Sequence, residues 1–169
     1  MISPEKHLAY ALGYVELGLF REARAELVHL SAEFAASPAA LGVRLEIAMA
    51  ESLWQEVLVL AEALVGNDAK LERPWIAWAY ALRELERVTE AQETLLTGRR
   101  LISRPSVLVD YNLACYAALL GELDEARALL VDVFNRDKSW REVAKTDPDL
   151  AVLFPQVAKK KKPRPADGA

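Results

Sequence analysis

Residues 111–130, YNLACYAALLGELDEARALL, set small and apolar residues at a helical spacing, interrupted by Gly121. Ala114, Ala117, Gly121 and Ala126 fall at orderly intervals through that stretch. The pattern predicts a helix, a glycine turn and a second helix. Sliding the second half, GELDEARALL, back along the chain finds GLFREARAEL from Gly18 and ERVTEAQETL from Glu86. A poorer copy, SLWQEVLVLA, starts at Ser52. The small residue after a shared glutamate is Ala23, Val57, Ala91 and Ala126, at intervals of 34, 34 and 35 residues. An apolar residue stands three before each: Phe20, Trp54, Val88 and Leu123.

The preceding helices align on the same frame as PEKHLAYALGYVEL, PAALGVRLEIAMA, RPWIAWAYALREL and PSVLVDYNLACYAALL. Each opens at or near a proline: Pro4, Pro38, Pro74 and Pro105. Proline is harmless in the first helical turn, where its missing N–H has no intrahelical partner. Ser3 and Ser37 stand where N-caps belong. Paired helices must approach to ~8–10 Å, so their crossing points need small side chains. Ala11, Ala48, Ala79, Ala114 and the Ala23-type positions meet that need.

About four hairpins of ~34 residues in register resemble the tetratricopeptide repeat family. The repeats span about 4–37, 38–71, 72–105 and 106–138. The fourth copy fits best. The third has Glu86 in place of the turn glycine, and the second departs at Arg44 and Val57. The resemblance implies an all-α fold, an α-solenoid of about four helical hairpins with a C-terminal capping helix, as one domain over residues 1–158. The cap is expected at 139–156, with Ser139 as its N-cap and Trp140 and Leu150 packed over the last hairpin. Residues 159–169 read as a disordered basic tail.

In the family, first helices line a concave surface that usually binds peptides or partner proteins. Carried onto this frame, the inward set is Leu8, Leu12, Val15, Val43, Glu46, Met49, Ile76, Tyr80, Arg83, Tyr111, Asn112 and Cys115. A one-step rotation would exchange groove and interhelical residues. The family's carboxylate-gripping class needs basic and amide residues where this chain has Leu8 and Ala9, so only Asn112 matches it. An apolar, partly aromatic groove implies a non-catalytic scaffold for an apolar or amphipathic protein segment. The alternatives are a homo-oligomer whose groove or cap holds another copy, or a small chaperone for a secreted partner.

Composition supports helices: 53% of residues are hydrophobic, and Leu and Ala dominate. Net charge is −4, unevenly spread. Five cations against Asp167 give residues 159–169 a charge of +4 and leave −8 on residues 1–158. An acidic body argues against a broad nucleic-acid surface and leaves only the Lys159–Arg164 tail for such contacts. No ~18-residue uncharged apolar run predicts a membrane span. The start, MISPEKHLAY, lacks a secretory core, and Cys115 is the lone cysteine, so a cytoplasmic protein is expected. No catalytic, cofactor or metal constellation is legible. His7 and His29 read as partly exposed helical residues with no cysteine or close carboxylate pair at ligand spacing, and no phosphate-binding glycine loop occurs.

Overall fold

Ser3 and Ser37 start two helices in the same way. Each holds extended backbone, and its hydroxyl accepts the N–H of the residue three on, Lys6 at 3.4 Å and Ala40 at 3.3 Å. Pro4 and Pro38 follow at the first helical position. The computed structural model describes residues 2–154, so the basic tail and the last two residues of the expected cap lie outside them. The described residues form ten α-helices and one 3₁₀ turn, with no strand among them. In order these are α1 (Pro4–Glu16), α2 (Phe20–Leu27), α3 (Ala32–Ala35), α4 (Pro38–Ala50) and α5 (Trp54–Asn67). Then follow α6 (Glu72–Glu84), α7 (Val88–Leu101), α8 (Val107–Leu119), α9 (Leu123–Arg136), α10 (Trp140–Thr146) and the 3₁₀ turn Pro148–Leu150.

Pro74 is the third residue of α6, and Pro105 precedes α8 by two residues, so both stand near a helix start. One expectation about helix ends is corrected. Ser139 does not cap α10 with its side chain, because its hydroxyl donates to Asp137 Oδ1 at 2.7 Å. The second helix of the first hairpin stops at Leu27. Ser31 then caps the single-turn α3 by accepting the Phe34 N–H at 3.2 Å.

Four hairpin turns share one backbone device. Gly18, Ser52, Glu86 and Gly121 all hold positive φ, at 72°, 57°, 61° and 81°. The next N–H in each case reaches back across the helix end: Leu19 to Tyr14 and Leu53 to Ala48 at 2.8 and 2.9 Å, Arg87 to Leu82 and Glu122 to Ala117 at 2.9 and 2.8 Å. This is the Schellman closure, which satisfies a carbonyl that the helix end leaves free. The positions repeat at 34, 34 and 35 residues, and Ser52 and Glu86 make the turn without the glycine that favours it. An L-residue there costs about 1–2 kcal/mol. The surrounding packing offsets that cost.

The residues five past each turn pivot are Ala23, Val57, Ala91 and Ala126, and all are fully buried. Opposite them, Ala11, Leu45, Ala79 and Ala114 are buried to 1% exposure or less. Leu45, not Ala48, stands in frame with Ala11, though Ala48 is buried as well. Helices pack against their neighbours in sequence order, α1 on α2, α4 on α5, α6 on α7 and α8 on α9. The first helices also touch in succession, α1 to α4, α4 to α6 and α6 to α8. Gly98 marks a close approach. A Cβ there would meet Trp75 Cγ at 2.5 Å, so only glycine lets α7 lie against that indole.

The buried carboxylate Asp110 joins three helices. Arg99 Nε of α7 lies 2.7 Å from its Oδ1, and Arg136 Nη1 of α9 lies 2.5 Å from its Oδ2. At the C-terminal end, α10 and the 3₁₀ turn close over α8. The Trp140 ring sits 4.4 Å from the Tyr111 ring, and Leu150 and Ala144 are fully buried.

The shared turn makes Glu86→Gly a stabilising substitution by about 0.5–1 kcal/mol, because relief of the left-handed strain exceeds the entropy glycine adds. Gly121→Ala is expected to cost about 1 kcal/mol. Urea denaturation of both variants checks this. A Glu86→Gly protein less stable than the parent contradicts it.

Candidate functional site

Three rows of side chains run across α1, α4, α6 and α8 at equivalent positions. The first is Leu8, Gly42, Ile76 and Tyr111; the second is Leu12, Glu46, Tyr80 and Cys115; the third is Val15, Met49, Arg83 and Ala118. Leu12 and Tyr80 are the exposed members of the expected groove set, at 47% and 38%. Leu8, Val15, Glu46, Met49, Arg83 and Asn112 are half-buried, while Ile76, Tyr111 and Cys115 are buried. Leu8 and Val15 lean on the core of the first hairpin, and Met49 leans on that of the second.

Two members of the set stand off these three rows. Val43 packs inside with Ala11, Ala23 and Ile47. Asn112 occupies the equivalent position on α8, and its amide donates to the Leu108 carbonyl of its own helix at 2.9 Å. Both lie one residue round the helix from the first row, which is a rotation of about 100°.

Polar contacts join neighbouring helices along this face. Arg73 of α6 holds Glu46 of α4 through two hydrogen bonds of 2.8 and 2.7 Å. Tyr80 meets the Trp54 ring edge-on, with centroids 5.7 Å apart. Arg83 donates to Glu84 at 2.6 Å and grips Asp149 with both Nε and Nη2. Asp149 pushes the Arg83 pKa further up, so the guanidinium stays charged.

Asp149 belongs to the chain's own C-terminal segment, which therefore occupies the α6–α8 end of this face. The Tyr111 hydroxyl donates to Asp147 Oδ2 at 2.7 Å, and Cys115 Sγ lies 3.8 Å from the same oxygen. Asp147 Oδ1 accepts the Asp149 backbone N–H at 3.0 Å. A cavity of about 260 Å³ remains between this segment and Tyr80, Arg83, Asn112, Cys115 and Tyr116. Tyr116 also lines this cavity, and its buried hydroxyl has no hydrogen-bond partner among the described residues.

These surroundings fix protonation. Burial first, and then the charges of Asp147 and Asp149, push the Cys115 thiol well above its ordinary range. Burial, followed by donation to Asp147, raises Tyr111, and burial raises Tyr116. A neutral thiol is a weak nucleophile.

Folding also pairs His7 with a carboxylate. Its Nδ1 lies 2.6 Å from Glu26 Oε2, and its ring stacks on His29 with centroids 4.7 Å apart. Glu26 sits 19 residues away on α2, beyond any local spacing rule. Asp147 and Asp149 were likewise missed as part of the site. The only local signal was the Asp147-Pro148 pair, which marks a turn.

No family model matches the chain, and no curated protein matches it. Among the described residues, no helix is long and apolar enough to cross a membrane.

The buried thiol and phenols set a pH dependence. Unfolding returns them to ordinary values of about 8.5 for Cys and about 10 for Tyr. The folded state then binds their protons more tightly, so stability is complete below about pH 8 and falls as pH rises. The loss reaches about 1.4 kcal/mol per pH unit for each group. Tyr111→Phe is expected to flatten the fall above about pH 10. Urea midpoints that stay constant through this alkaline range contradict the assignment.

Proposed function

We propose that the chain is a tetratricopeptide-like helical-repeat scaffold. In this reading it is a short α-solenoid of four hairpins closed by a C-terminal cap. It is non-catalytic and binds a segment of a partner protein on the face formed by its first helices.

One observation carries the proposal: this face already holds a short chain segment. Residues 147–150 lie on it with a carboxylate in the Arg83 fork, a second carboxylate under the Tyr111 hydroxyl and Leu150 fully buried. The same three rows continue away from that segment across α6, α4 and α1. There Tyr80 and Leu12 face solvent beside the Glu46–Arg73 pair. An aromatic and an aliphatic anchor beside a charged pair suit an amphipathic segment, with the anchors supplying affinity and the charges its orientation.

A reducing setting such as the cytoplasm accords with a buried, unpaired Cys115. The proposed scaffold role needs no charged thiol and no cofactor.

A partner recovered from the native host supplies the test. Its binding segment is made as a labelled peptide and titrated against the protein by fluorescence anisotropy. The Leu12→Ala/Tyr80→Ala double variant is expected to bind at least ~10-fold more weakly. Val59→Ala, at a residue 67% exposed on the second helix α5, should leave affinity unchanged. Full affinity in the double variant overturns this placement.

A further inference from the structure

We propose that Cys115, Asp147 and Asp149 form a binding site for one divalent cation of the zinc class, which would pin the C-terminal segment to the face of α8. The thiol sulfur and one oxygen of each carboxylate all lie within 4.8 Å of one another. A tetrahedral ion with Zn–S of about 2.3 Å and Zn–O of about 2.1 Å places sulfur and oxygen about 3.6 Å apart. Cys115 Sγ and Asp147 Oδ2 are already 3.8 Å apart. The Cys115–Asp147 pair therefore already stands close to the spacing an ion requires.

Charge points the same way. Among the described residues, the partners of Asp147 are the Tyr111 hydroxyl, the Asp149 N–H and the Cys115 thiol, none of them a cation. Arg83 answers one carboxylate at this site while also holding Glu84. Among the described residues, two half-buried carboxylates beside a buried thiol thus have a single positive neighbour, and a divalent ion would balance the excess. Arg83 does not block such an ion. Each carboxylate oxygen has a second lone pair, and a guanidinium behind a ligating carboxylate fixes its orientation.

An unpartnered buried side chain lies at the same cavity. Tyr116 is 1% exposed, its hydroxyl has no partner among the described residues, and it lines the same cavity of about 260 Å³. That cavity has room for an ion and a water that completes its coordination. Binding is an exchange: the Cys115 S–H proton passes to solvent as the sulfur–metal bond forms. The ligands join α8 to a segment 32 or more residues later, so the ion would act as a structural staple.

The test uses the full chain, stripped with chelator and titrated with Co²⁺ and with Zn²⁺. Cys115 is the only cysteine, so a thiolate-to-cobalt charge-transfer band can arise only from it. The expected result is that band at one Co²⁺ per chain, its displacement by Zn²⁺, and a rise in Tm with Zn²⁺. Asp147→Asn should weaken binding at least ~10-fold, whereas His7→Ala should leave it intact. Absence of the band in the unaltered protein overturns the site whatever the variants do. Zinc binding that survives Cys115→Ala, or that is lost in His7→Ala alone, places the ion elsewhere and also overturns it.

Discussion

Close contact between paired helices sets the terms for this protein. Where Ala23, Val57, Ala91 and Ala126 meet the first helix of their hairpin, the side chains are fully buried and mostly as small as alanine allows. A pair at this separation strips each helix of water along one stripe only. The other stripe must be covered by the next hairpin, so the order of packing follows the order of sequence. The left-handed turn residue serves the same constraint. It reverses the chain within two residues and returns the second helix to the right place, and the structure keeps it even where the residue is Ser52 or Glu86.

These local rules explain what the sequence revealed. Small residues and turns depend on neighbours three to five residues away, so the hairpin spacing could be read directly. The break between α2 and α3 could not, because it depends on how Ser31 competes with continued helix. Face assignment is harder to read, because one helix position is a rotation of about 100°. Val43 and Asn112 lie one position from the row of Leu8, Gly42, Ile76 and Tyr111; Val43 is buried, Asn112 lines the cavity beside Arg83, and Leu12 and Tyr80 reach solvent.

The polar half of the site was illegible for a different reason. Arg83 and Asp149 are 66 residues apart, Tyr111 and Asp147 are 36 apart, and His7 and Glu26 are 19 apart. No spacing rule joins such pairs. The first two pairs meet because the last segment folds back onto α6 and α8, where burial of Leu150 and the Tyr111–Trp140 contact hold it, and the third meets where α2 packs on α1. That return contact gives the face its polarity. At one end it is closed by acidic residues of the chain itself, and at the other it presents Leu12 and the Glu46–Arg73 pair to solvent.

If the first helices form a recognition face, binding must leave its mark on them and not on the outer layer. Amide hydrogen exchange of the protein with and without a bound partner segment reads this directly. The account predicts slowed exchange in α1, α4 and α6 around Leu12, Glu46 and Tyr80, with α2, α5 and α7 unchanged. Protection confined to α2, α5 and α7 would contradict it.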